Sequence, residues 1–151
     1  MIEEKIKKLG YTLPETAKPL AAYIPAIQTG NYIYTSGQVP IVTGELKYAG
    51  KVGQDLSLED GQKAAVICTL NGLSAIKSVI GDLNKVERIV KLTVFVNSAA
   101  GFTDQPKVAN GASEFLGEIF GEAGKHTRSA VGVSELPIDS AVEIEMIVKV
   151  K

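Results

Sequence analysis

Val142-Glu143-Ile144-Glu145-Met146-Ile147-Val148-Lys149-Val150-Lys151 closes the chain with a two-residue alternation. Val142, Ile144, Met146, Val148 and Val150 point one way, and Glu143, Glu145, Ile147 and Lys149 the other. That pattern predicts a strand with one face on a core. Upstream, across a connection containing Pro137, Thr127–Val133 is a second extended segment. Before it the period changes. Thr103-Asp104 opens a helix whose apolar side is Val108, Phe115, Leu116, Ile119 and Phe120, with Gly121 and Gly124 at its exit. Val86–Asn97 returns to strand periodicity, with Val90, Leu92, Val94 and Val96 opposed to Lys91, Thr93 and Phe95.

The longest helix opens at Ser57-Leu58-Glu59-Asp60, where Ser57 can cap free amides and the acids suit the positive end of the dipole. Val66, Leu70, Leu73, Ile76 and Ile80 form its apolar stripe, and it ends near Gly81. Residues 40–56 read as a long surface loop with a turn near Thr43-Gly44. From Ala21 to Val39 the pattern is strand-like, in two segments, Tyr23–Gln28 and Tyr32–Ser36, hinged at Gly30-Asn31. A loop holding Pro14 and Pro19 joins this to a short helix over 2–9, ended by Gly10. The order β-β-α-β-α-β-β predicts an α+β sheet with two helices on one face. The other face carries Phe95 and Ile147 among polar residues, which favours cover by a partner subunit over solvent.

At 151 residues the chain is long enough for one core without staples. One cysteine, Cys68, excludes an intrachain disulfide and a thiol-rich metal site. Sixteen basic and seventeen acidic residues give a net charge of −1, without the cationic excess of a nucleic-acid binder. Tryptophan is absent and aromatics make up 6%, too few for a stacking platform on single strands. No stretch reads as the ~20 apolar residues that span a bilayer. The charged N-terminus lacks the apolar core of a secretion signal, so a cytoplasmic protein is expected.

His126 is the only histidine, so a multi-histidine zinc site is excluded, and no GxSxG precedes it to make a hydrolase triad. Neither GxxxxGK[ST] nor GxGxxG occurs in the glycine-containing loop at 48–54. Cys68 sits mid-helix among Ala64, Ala65 and Leu70 and reads as a small hydrophobe. The informative scarcity is arginine: only Arg88 and Arg128 occur. Arg88 beside Glu87 reads as a surface charge. Arg128 shares a strand face with Ala130 and Gly132, which leave room for a planar carboxylate gripped by two parallel hydrogen bonds. An Arg–Glu pair within the sheet fits the same pattern. Glu143 and Glu145 share one side of the last strand, either as solvated charges or as acids orienting a water.

His126-Thr127-Arg128-Ser129-Ala130-Val131-Gly132-Val133-Ser134-Glu135-Leu136-Pro137, closing with Val142-Glu143-Ile144, resembles the signature of the reactive-intermediate deaminases, the RidA, YjgF or L-PSP-like family. Thr35-Ser36-Gly37-Gln38-Val39-Pro40 is similar to its T-S-G-Q-[IV]-P segment, Lys91–Val96 to its central strand and Asn110–Phe115 to its second helix. The likeness runs from about Tyr23 to the C-terminus. It leaves residues 1–20, with their helix, as an extension of a single 1–151 domain, and the loop near 41–56 as an addition.

The resemblance implies a chorismate-mutase-like mixed sheet with two helices on one face. It also implies a homotrimer whose sheets form a barrel, with clefts between subunits. It further implies hydrolysis of 2-imino and 2-enamino acids to 2-keto acids and ammonia, without metal or organic cofactor, nucleic acid or membrane. By position, Arg128 matches the carboxylate clamp and Glu143 the acid that holds water. Tyr23, Ser36, Gly37 and Asn110 match residues lining the cleft, and the backbone at Ala130 matches a group facing substrate. The residues themselves leave alternatives: Ser36 and Asn110 can serve local backbone, and Tyr23 can be a pocket wall.

Three positions depart from the family pattern. His126 replaces Pro or Ala, Ala130 replaces a common Cys, and Ala21-Ala22-Tyr23 lacks a Gly-Pro. They bear on which substrate is preferred. They also keep open a non-catalytic binder or sensor of small carboxylates. Ribonuclease activity or translation inhibition, attached to the family by name, is disfavoured by the charge balance.

Overall fold

Gly30-Asn31 forms the expected two-residue turn, with Gly30 at φ +57°, joining β1 (Ala26–Thr29) to β2 (Tyr32–Thr35) in the register Ala26↔Thr35 to Thr29↔Tyr32. The structure, a computed structural model, describes residues 1–16 and 22–151. Pro19 and Ala21 of the sequence reading lie outside them. The first strand begins at Ala26, not at Tyr23, because Pro25 has no N–H to give a ladder. The 41–56 loop contains a small hairpin, β3 (Ile41–Val42) and β4 (Glu45–Leu46), turning at Thr43-Gly44.

The long helix α2 (Leu58–Ile80) starts at a capping box: the Asp60 amide donates to Ser57 Oγ and the Ser57 amide to Asp60 Oδ2, both at 3.1 Å. Next come β5 (Val86–Asn97), helix α3 (Gln105–Phe120) with its 3₁₀ exit Gly121–Gly124, β6 (Thr127–Val133) and β7 (Val142–Val150). The main sheet has the order β1-β2-β7-β5-β6, antiparallel except for the β5–β6 pair. This is the mixed α+β architecture expected, with α2 and α3 on one face.

The predicted face of β5 needs one correction. Register shifts between Val86 and Arg88 and between Ile89 and Lys91 insert extra residues, so Ile89, not Val90, is fully buried with Leu92, Val94 and Val96. These side chains meet Ile144, Met146 and Val148 of β7, under Cys68, Leu73 and Ile76 of α2 and Leu116 and Ile119 of α3. The short helix α1 (Ile2–Lys8) contributes a fully buried Ile6 and touches α3, so the core includes part of the N-terminal segment.

A second correction concerns α2. Its 23 residues, with a mean hydropathy of 1.3 over its best window, are long and apolar enough to cross a membrane, although the sequence reading found no such stretch. Sixty-one per cent of that window is buried inside the fold, so the core already occupies most of its apolar surface. The opposite sheet face is uncovered by the described residues and bears exposed Ile27, Tyr32, Tyr34 and Val131 with half-buried Phe95 and Ile147.

Candidate functional site

Arg128 pairs with Leu92 across the parallel β5–β6 register, so its side chain leaves the sheet on the helix-bearing side. Its Nη1 donates to Asn110 Oδ1 at 2.9 Å and to Ser113 Oγ at 3.0 Å, and Nη2 donates to the Pro106 carbonyl at 3.3 Å. All three acceptors lie on α3. No carboxylate pairs with Arg128 among the described residues, which sets aside an Arg–Glu pair within the sheet. A guanidinium has five N–H groups. The Nε–H and one Nη2–H therefore keep no partner among the described residues, on a half-buried cation at a sheet edge.

The open floor expected beside Arg128 is not there. Ala130 packs on the core, and a Cβ at Gly132 would come within 2.6 Å of Gln105 Nε2 and 3.0 Å of Ser98 Oγ. The guanidinium leans on α3 instead. Asn110 serves it directly rather than capping local backbone: with Oδ1 turned to Arg128, its Nδ2 donors are unpaired among the described residues.

A second cluster lies on the other side of the sheet. Glu143 pairs with Phe95, an odd-numbered neighbour on a strand whose even-numbered Leu92 pairs with Arg128. The two side chains therefore leave opposite faces and do not converge within one chain. Gly37 is pressed against Glu143, since a Cβ there would stand 2.8 Å from Glu143 Cδ. The Ser36 amide donates to the Pro25 carbonyl at 2.8 Å and its Oγ to the Ile24 carbonyl at 2.7 Å. Ser36 is thus committed to backbone. That bond ties the Ser36-Gly37 segment to the residues just after Tyr23, which is itself 55% exposed. Tyr23, Ser36, Gly37 and Glu143 gather on one end of the sheet, and Arg128, Asn110 and Ala130 on another surface.

Burial pushes the Glu143 carboxyl above the usual carboxylate range, helped by the like charge of Glu145. An acid raised in this way binds its proton more tightly folded than unfolded. The stability linked to it is complete below the unfolded value and is lost as pH rises through the folded one. Glu143→Gln is therefore expected to raise Tm by a few degrees at most near neutrality. The advantage should shrink towards zero at acid pH, as paired thermal melts can read.

Cys68 is fully buried, its Sγ 3.5 Å from the Val142 carbonyl, and burial raises its thiol well above normal, so it behaves as a small hydrophobe. Arg88 is exposed and donates to the Lys125 carbonyl. His126 hydrogen-bonds Ser113 and Gly124. Ser113 was not singled out in the sequence, although its place three residues after Asn110 puts both on one helix face. A cavity of about 470 Å³ lies between Tyr11, Lys63, Phe115 and Glu118, and is also lined by Gly111 and Glu114 of α3. A hollow of about 130 Å³ on the uncovered sheet face is lined by Tyr34, Lys91, Thr93, Glu145 and Ile147. Neither is lined by Arg128 or Glu143.

Residues 3–150 match the family described as "YjgF/chorismate mutase-like, putative endoribonuclease". Protein TCP17 of Trypanosoma cruzi is 40% identical over 149 residues, covering 98% of this chain and 93% of its own. The 2-iminobutanoate/2-iminopropanoate deaminase of Dermatophagoides farinae is 29% identical, with coverage of 91% and 93%. Among solved structures, the protein Atu1372 of Agrobacterium tumefaciens, of unknown function, superposes with a TM-score of 0.94 at 41% identity, covering 99% and 92%. The Escherichia coli TdcF structure with bound serine gives 0.66 at 27% identity, covering 91% and 94%.

Proposed function

The chain belongs to the YjgF/chorismate mutase-like family, and on that premise we propose that it hydrolyses reactive 2-imino and 2-enamino acids to 2-keto acids and ammonia. The observation that carries this reading is the anchoring of Arg128. Three neutral acceptors hold the guanidinium, and two N–H groups remain for an external carboxylate. The name of the Dermatophagoides relative supports the substrate class. Ribonuclease names in the family find no support in a chain whose net charge is −1, without a cationic excess.

In this mechanism Arg128 grips the carboxylate, Asn110 Nδ2 donates beside it, and the backbone at Ala130 faces the substrate. An enamine first tautomerises to the imine. Glu143 takes a proton from water as the oxygen bonds to C2 and passes it to the imine nitrogen, giving a neutral carbinolamine. Glu143 then takes the carbinolamine hydroxyl proton and gives it to the nitrogen as the C2–N bond breaks, so that ammonia leaves and C2 becomes the keto carbon. Tyr23, Ser36 and Gly37 wall the Glu143 side. The imine carbon is already electrophilic, so orientation plus acid–base help of about 10²–10⁴-fold suffices.

Arg128 and Glu143 leave opposite sheet faces, so the site needs two copies. A homotrimer with clefts between subunits is supported by the uncovered apolar face carrying Ile27, Tyr34 and Val131. The test is ammonia release from 2-iminobutanoate generated in situ by an amino-acid oxidase. Acceleration above buffer is expected. A rate equal to buffer, with saturable 2-ketobutyrate binding by calorimetry, would instead make the protein a carboxylate binder.

A further inference from the structure

The His126 ring bridges two partners of different character. Its Nδ1 lies 2.6 Å from the carbonyl of buried Gly124, which can only accept, so Nδ1 carries the proton. In the neutral ring Nε2 is then an acceptor, and it lies 2.9 Å from Ser113 Oγ. The single Ser113 proton goes to His126. That leaves the hydroxyl lone pairs for Arg128, whose Nη1 stands 3.0 Å away. The bonds run in one direction: Arg128 Nη1–H to Ser113 Oγ, Ser113 O–H to His126 Nε2, and His126 Nδ1–H to the Gly124 carbonyl.

We propose that His126, acting through Ser113, is a positioning residue that fixes the Arg128 guanidinium for carboxylate capture. This rests on the deaminase reading for its catalytic consequence, but not for the ordering itself. A helical serine without an outside acceptor turns its hydroxyl to the carbonyl one turn back. Removing the imidazole frees Ser113 to do so, and the lone pair facing Arg128 is lost with it. Nη1 then keeps only Asn110, and the guanidinium gains a rotation that substrate must stop on binding. His126 touches neither substrate nor reacting atoms, so its removal acts on capture rather than on chemistry.

The test combines nitrogen-15 spectroscopy with kinetics on the full chain. The sole histidine and two arginines make the signals assignable, with Arg88→Lys leaving one guanidinium. The wild type is expected to show a neutral imidazole protonated at Nδ1 and separate, slowly exchanging Nη signals from Arg128. Ser113→Ala and His126→Phe should merge those signals and raise KM about tenfold with kcat little changed. His126→Gln, whose Oε1 can replace Nε2 as acceptor, should restore both. Unchanged Arg128 signals and KM in Ser113→Ala, or His126→Gln as defective as His126→Phe, would overturn the proposal. Ordering lost in the variants of a wild type without turnover would sink the deaminase reading while establishing the ordering.

Discussion

Arg128→Ala is expected to lower kcat/KM for 2-iminobutanoate hydrolysis by about 10²–10³-fold, since two charge-assisted hydrogen bonds to the carboxylate disappear together. The observed rate should fall nearly to that of buffer, because free imines hydrolyse unaided. Arg128→Lys is the sharper variant. It keeps the charge but replaces a planar fork with a point charge, and it cannot serve Asn110, Ser113 and the Pro106 carbonyl at once. A loss of about 10–10²-fold is expected there, chiefly in KM. Both variants should fold, because the acceptors they release lie on α3 at exposed or half-buried positions that water reaches. Paired thermal melts check that point. Wild-type rates in Arg128→Ala would remove Arg128 from the mechanism.

The expectations that held are those resting on short-range period and turn chemistry. Val86–Asn97 and Thr127–Val133 have the bounds their alternation predicts, and Ser57 caps α2 because its hydroxyl and Asp60 satisfy each other's amides. Strand alternation could not reveal the extra residues in β5, since a bulge changes which side chain turns inward without changing composition. How Arg128 is anchored was not legible in the sequence, which offered a scarce cation on an extended segment and a resemblance to a carboxylate clamp. Its anchors at Pro106, Asn110 and Ser113 lie 15 to 22 residues away on a helix whose approach depends on tertiary packing. The crowded space over Gly132 was hidden for the same reason, as it is filled by Gln105 and Ser98 from other elements. Nor did spacing place Arg128 and Glu143 on opposite faces. That follows from pairing with Leu92 and with Phe95 on the one strand between them.

Those opposed faces lead to the second large effect. Arg128→Ala and Glu143→Gln are each expected to be inactive alone, yet unfolding and refolding them together should restore about a quarter of wild-type activity. In the proposed cyclic oligomer each cleft would take its arginine from one copy and its glutamate from a neighbour. With random mixing, a cleft receives an intact Arg128 half the time and an intact Glu143 half the time, and about one in four receives both. If both residues of a cleft came from the same chain, every site would carry one defect and the mixture would stay dead. Mixing the folded variants without unfolding controls for contamination and should give no recovery until subunits exchange. The geometry makes the outcome sensitive. Arg128 is held by α3 on one face of the sheet, while Glu143 stands against Gly37 on the other. No rotamer of either side chain passes through a hydrogen-bonded sheet to reach the other within the same copy.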